Sequence, residues 1–129
     1  MAGPGRGAGQ EILVVDDDPA FREVLVAVLS AEGYRVSVAE DGHQALQSLA
    51  LRADDPPSLI LLDLAMPVMS GQAFLEAHTA AAFLPAVPVI VLSGNLEGQP
   101  RRPDGHVIVY FRKPIHLERL LEAIQLWAR

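Results

Sequence analysis

The stretch ILVVDDDPAF, residues 12–21, sets four apolar residues directly against three consecutive aspartates and a proline. An apolar run of that kind reads as a strand covered on both faces. Pro19 after Asp18 reads as a helix start, because an aspartate caps free N–H groups and proline suits the first helical position. Asp16 and Asp17 are then left side by side at the end of a buried strand. Two carboxylates about 4 Å apart repel by roughly 1 kcal/mol in water, and by about 4 kcal/mol at the effective dielectric of a protein site. A nearby cation is required to offset that repulsion.

Outward from this stretch the chain alternates between β-rich runs and helical patterns. The runs are EILVV (11–15), RVSVA (35–39), SLILL (58–62), VPVIVL (87–92) and HVIVYF (106–111). After the first run, Phe21, Val24, Leu25, Val28 and Leu29 repeat at helical spacing up to Gly33. Residues 41–51 and 70–83 read as a second and a third helix. In the last helix Leu117, Leu120, Leu121, Ile124, Trp127 and Ala128 share one face. Repeated strand and helix point to an α/β fold with a doubly wound parallel sheet, whose ligands bind beyond the carboxyl ends of the strands.

Composition narrows the function classes. At 129 residues the chain is long enough for one domain with a single core. Its net charge of −6 argues against a nucleic-acid partner. The absence of cysteine excludes disulfides and thiolate chemistry. No apolar run approaches the 18 or so residues of a membrane span, and MAGPGRGAGQ lacks the apolar region of a signal peptide. Residues 1–10 are expected to be a flexible tail, residues 11–129 one domain, and the cytoplasm its location.

Chemistry collects at the strand ends. The first run ends in Asp16 and Asp17, the third in Asp63, the fourth in Ser93 and the fifth in Lys113, the only lysine of the chain. Three carboxylates offer hard oxygen ligands to Mg²⁺ or Mn²⁺ and leave room for a phosphoryl oxygen. Lys113 adds a compact positive charge and Ser93 a hydroxyl donor. Asp63 can then act as the nucleophile that forms an acyl phosphate. Asp18 is read as a helix cap without chemistry. The four histidines show no metal-ligand spacing and are expected at the surface, and Met66 and Met69 are expected to pack.

The segments VVDDDPAFREVL, LILLDLAMPVMSG, VIVLSG and YFRKPI, in this order, resemble the four signature segments of the response-regulator receiver domain of two-component signalling. The resemblance covers residues 11–129. It implies a flavodoxin-like five-stranded sheet of order 2-1-3-4-5 with Asp63 as phosphoacceptor. Asp17 would bind the metal directly, Asp16 largely through metal-bound water, and the backbone carbonyl of Ala65 would complete the metal site. Ser93 and Lys113 would contact the phosphoryl group, Tyr110 would be the switch aromatic, and the Lys113–Pro114 bond would be cis. The implied donor is a histidine kinase or phosphotransfer protein, and the implied output is a downstream protein, with no membrane or nucleic acid bound by this chain.

The sequence departs from that pattern between Ser93 and the fifth run. There GNLEGQPRRPDGH carries prolines that cost about 3 kcal/mol each in a helix and glycines that cost about 1. The family's fourth helix is therefore expected to be shortened or replaced by a loop. Two alternatives share the residues: a pseudo-receiver that only binds proteins, and a Mg²⁺-dependent aspartyl phosphohydrolase using Asp16 and Asp18. Ala20 weakens the second, as does a chain too short for a cap domain. A flavin-binding reading fails because acids stand where a phosphate loop is needed. The chain is expected to be a stand-alone receiver or a part of a larger protein.

Overall fold

The computed structural model describes residues 9–63, 71–80, 86–94 and 106–128. Five strands, β1 (Glu11–Val15), β2 (Arg35–Ala39), β3 (Leu59–Asp63), β4 (Val89–Ser93) and β5 (Val107–Arg112), form one parallel sheet of order β2-β1-β3-β4-β5. Among the described residues there are four helices, α1 (Pro19–Ala31), α2 (Gly42–Leu51), α3 (Gly71–Ala80) and α4 (Leu117–Trp127). The chain leaves β1 toward β2 on one side and returns to β3 on the other. That reversal creates a switch point between β1 and β3, where a doubly wound sheet opens a crevice at its carboxyl edge.

The central strands β1, β3 and β4 are covered on both faces, which is why they read as continuous apolar runs rather than alternations. Ile12, Val14, Leu59, Leu61, Ile90 and Leu92 pack with Leu25 and Leu29 of α1 and with Leu120, Leu121 and Ile124 of α4. Leu13, Val15, Ile60, Leu62, Val89 and Val91 pack with Ala45 and Leu49 of α2 and with Phe74 and Leu75 of α3. A register shift at Val89/Ile90 lets β5 carry one extra residue between Val107 and Val109.

Local sequence explains the helix ends. Asp18 accepts from the N–H groups of Ala20 and Phe21, and Asp41 accepts from that of Gln44. At the other end of α1, Gly33 takes φ +90°. The Tyr34 N–H donates to the Leu29 carbonyl at 3.1 Å and the Gly33 N–H to the Ser30 carbonyl at 3.0 Å. This is the Schellman closure, and it brings Tyr34 against Leu29 in the core.

Several expectations need correction. Val24 is 48% exposed because the buried stripe of α1 is centred on Leu25 and Leu29, leaving Val24 at its margin. Trp127, at i+7 from Leu120 and in line with the buried stripe, is 45% exposed because it is the last residue of α4. His78 is not at the surface: it is 2% exposed, stacked on Phe74 at 5.7 Å, with the His106 ring 4.6 Å away. Of the expected tail of residues 1–10, residues 1–8 lie outside the described residues, and Gly9 and Gln10 hydrogen-bond to Gly33 and Arg35. The expected loss of a fourth helix, Ala65, Met66 and Met69 all fall outside the described residues, apart from Gly94 and His106 at the ends of the former.

Candidate metal centre

The site is built at the switch point. Asp16 follows β1 directly and Asp63 is the last residue of β3, so the two strands that part company there both end in a carboxylate. The Asp16 N–H donates to the Ala39 carbonyl of β2, and the Asp16 carbonyl accepts from Arg22 Nη1 at 2.7 Å. Its side chain is fixed as well, since Oδ1 accepts from the Asp18 N–H at 2.9 Å. The third aspartate thus caps α1 with its side chain and orients the first with its backbone.

Asp16, Asp17 and Asp63 each place a carboxylate oxygen within 4.8 Å of the others'. Asp16 and Asp63 are buried, with 1% and 5% of their surface exposed, while Asp17 faces solvent. Burial pushes the Asp16 carboxyl above its ordinary value. The charges of Asp63 and Asp17 push in the same direction, against the Asp18 N–H and Lys113. Asp16 Oδ2 is buried without a hydrogen bond. An all-oxygen donor set with one buried acceptor so placed fits a hard divalent cation.

Lys113 arrives from the far side. It follows β5, and its N–H donates to the Ser93 carbonyl at 2.8 Å, which ties it to the end of β4. The Lys113–Pro114 bond is cis. Nζ stands 3.7 Å from Asp63 Oδ1 and 3.8 Å from Asp16 Oδ2, and 4.7 Å from the centre of the Phe21 ring. One ammonium against three carboxylates leaves the cluster two charges negative, so it can accept a divalent ion without building excess positive charge.

Ser93 is buried at the end of β4, in register beside Arg112. Tyr110 lies on β5 and packs against the core on the α2–α3 side. The sequence reading thus named Asp16, Asp17, Asp63 and Lys113, and the fold brings all four together. It missed Phe21 and Arg22. Phe21 was counted only as part of an apolar stripe, and Arg22 gave no signal, because both lie on α1 and meet strand-end residues only through space.

Comparison with known proteins agrees with this geometry. A response regulator receiver domain model matches residues 12–125. The transcriptional regulatory protein ZraR of Salmonella typhimurium is 32% identical over 117 residues, covering 89% of this chain and 25% of ZraR. The response regulator MprA of Mycolicibacterium vanbaalenii is 37% identical over 111 residues, covering 85% of this chain and 46% of MprA. The chain therefore spans a quarter to about half the length of these relatives. The receiver domain of the Pseudomonas aeruginosa sensor histidine kinase PA1611, solved with magnesium coordinated in its active-site cleft, superposes with a TM-score of 0.79 at 33% identity, covering 93% of this chain and 98% of that one. Vibrio cholerae CheY4 superposes at 0.77 with 27% identity, covering 93% and 99%. The five strands in order 2-1-3-4-5, the acids at the switch point and the matching family model together make this chain a member of the response regulator receiver domain family.

Proposed function

We propose that this receiver domain accepts a phosphoryl group on Asp63 from the phosphohistidine of a histidine kinase or phosphotransfer protein. The observation that carries this reading is the convergence of Asp16, Asp17 and Asp63 within 4.8 Å, with Lys113 Nζ 3.7 Å from Asp63. Asp16, Asp17, Asp63 and the Ala65 carbonyl would hold Mg²⁺, or Mn²⁺, as the magnesium-bearing cleft of the PA1611 receiver supports. When bound, that ion supplies charge neutralisation and alignment for an incoming phosphoryl oxygen.

The chain's own residues do the rest. An Asp63 oxygen attacks phosphorus, the P–N bond to the donor imidazole breaks, and the imidazole leaves with the bonding pair. Lys113 and the Ser93 hydroxyl offset charge on the transferred oxygens. Ser93 then moves toward the phosphoryl group and Tyr110 follows, in a two-state shift read by a downstream protein. Phosphorylation and its hydrolysis are confined to Asp63, with no separate substrate turned over. The reading places the protein in the cytoplasm with its donor; no helix among the described residues is long and apolar enough to cross a membrane.

Incubation with acetyl phosphate and Mg²⁺, followed by intact mass measurement, tests this function. The chain should gain one phosphoryl group and Asp63→Asn none. A wild-type chain that binds Mg²⁺ and gains nothing would instead be a pseudo-receiver.

A further inference from the structure

The phosphoacceptor reading leaves open what holds the ammonium of Lys113 in place. Its distances to Asp63 Oδ1 and Asp16 Oδ2, 3.7 and 3.8 Å, are both longer than a hydrogen bond. Neither carboxylate grips it directionally. The third neighbour is the Phe21 ring, whose centre lies 4.7 Å from Nζ. The ring belongs to the first turn of α1, and that turn is itself anchored. Asp18 caps it, and the next residue, Arg22, donates to the Asp16 carbonyl at 2.7 Å. Phe21 is half-buried against the same core cluster as Leu25 and Leu29. A ring on an anchored turn, packed against the core, thus meets the end of the chain's only lysine.

We propose that Phe21 is a positioning residue, an aromatic platform that steers Lys113 toward the phosphoryl group on Asp63. The proposal rests on the phosphoacceptor reading. Its physical basis is the negative face of the ring, which attracts a cation over a broad area and has no single bonding direction. A carboxylate or carbonyl in the same place would hold the ammonium by a directional hydrogen bond and resist its displacement. A ring face lets Nζ slide from between Asp16 and Asp63 toward new phosphoryl oxygens without leaving its support. An aliphatic side chain of similar volume fills the space and offers no such attraction. Position 21 therefore sets how fast the site reacts, while Asp16, Asp17 and Asp63 set how tightly it takes its metal.

The test compares wild type with Phe21→Leu, Phe21→Met, Phe21→Tyr and Phe21→Trp in the full chain. Acetyl phosphate is the donor, so no partner protein docks on α1. At saturating Mg²⁺, Leu and Met should slow phosphorylation about threefold to tenfold, whereas Tyr and Trp should stay within about twofold of wild type. The Mg²⁺ concentration for half-maximal rate should be unchanged in all four. A second readout needs no phosphorylation. As the only lysine, Lys113 gives unambiguous side-chain NMR signals, and the ring should shift its ε-protons upfield in wild type and in the two aromatic variants alone. Wild-type rates in Leu and Met would overturn the proposal, as would equal losses in all four variants, the mark of a packing role. If wild type itself takes no phosphoryl group, the phosphoacceptor reading fails, and the proton shifts alone report whether the platform exists.

Discussion

Asp16 and Asp63 face one another across the gap where the chain reverses between β1 and β3, both buried and both within reach of Lys113 Nζ. Burying two like charges this close costs folding energy that one ammonium offsets only in part. The fold carries the cost at the place where a divalent cation can remove it.

Asp16→Asn therefore stabilises the metal-free protein. The amide keeps the oxygen that accepts from the Asp18 N–H and removes the charge that repels Asp63 and Asp17. At pH 7 the melting temperature should rise by roughly 2–5 °C. Because the folded-state value of Asp16 is raised, its cost is absent below its ordinary value of 3.8 and grows as pH rises through the raised one. The stabilisation by Asn should disappear in acid. Mg²⁺ should raise the melting temperature of wild type, reversed by a chelator, and leave the variant nearly unmoved. Calorimetry at several pH values checks all of this.

Glu11 has the opposite sign. Hydrogen bonds from Arg52 hold its carboxyl below the ordinary value of 4.5 and join β1 to the end of α2. Its contribution is complete above that value and is lost as pH falls through the depressed one. Glu11→Gln should cost roughly 1–2 kcal/mol in urea unfolding at pH 7, and progressively less as pH falls below 4.5 and through the depressed value.

The three aspartates separate by experiment. Asp18→Ala removes the cap of α1 and should cost about 1 kcal/mol of stability. The backbone N–H that orients Asp16 remains, so the half-saturating Mg²⁺ concentration should stay within about twofold of wild type. Asp17→Ala should show the reverse, with weakened Mg²⁺ uptake and little loss of stability, because Asp17 is solvent-exposed.

Much of this was legible from residues 11–63. Ile12–Val15 and Leu59–Leu62 are apolar without interruption because helices cover both faces, and a charged residue directly after such a run has nowhere to lie but the sheet's edge. Asp18 and Asp41 announce helix starts by side-chain chemistry alone, and Gly33 marks a stop that its left-handed backbone requires. What stayed hidden depends on distance through space. Phe21 meets Lys113, 92 positions along, and His78 meets His106 from a different element. The histidines looked like surface residues because a polar ring on an apolar helix face is invisible to periodicity until its neighbours are known. Trp127 failed for the converse reason, since an apolar residue at a helix end need not reach the sheet.

The chemistry of residue 63 itself provides the most direct test. After incubation with phosphoramidate and Mg²⁺, borohydride reduces an aspartyl phosphate to homoserine, and peptide mapping then identifies the position. The account predicts homoserine at position 63 alone, and none when Mg²⁺ is chelated. Homoserine at another aspartate, or none in a folded chain that binds Mg²⁺, would contradict it.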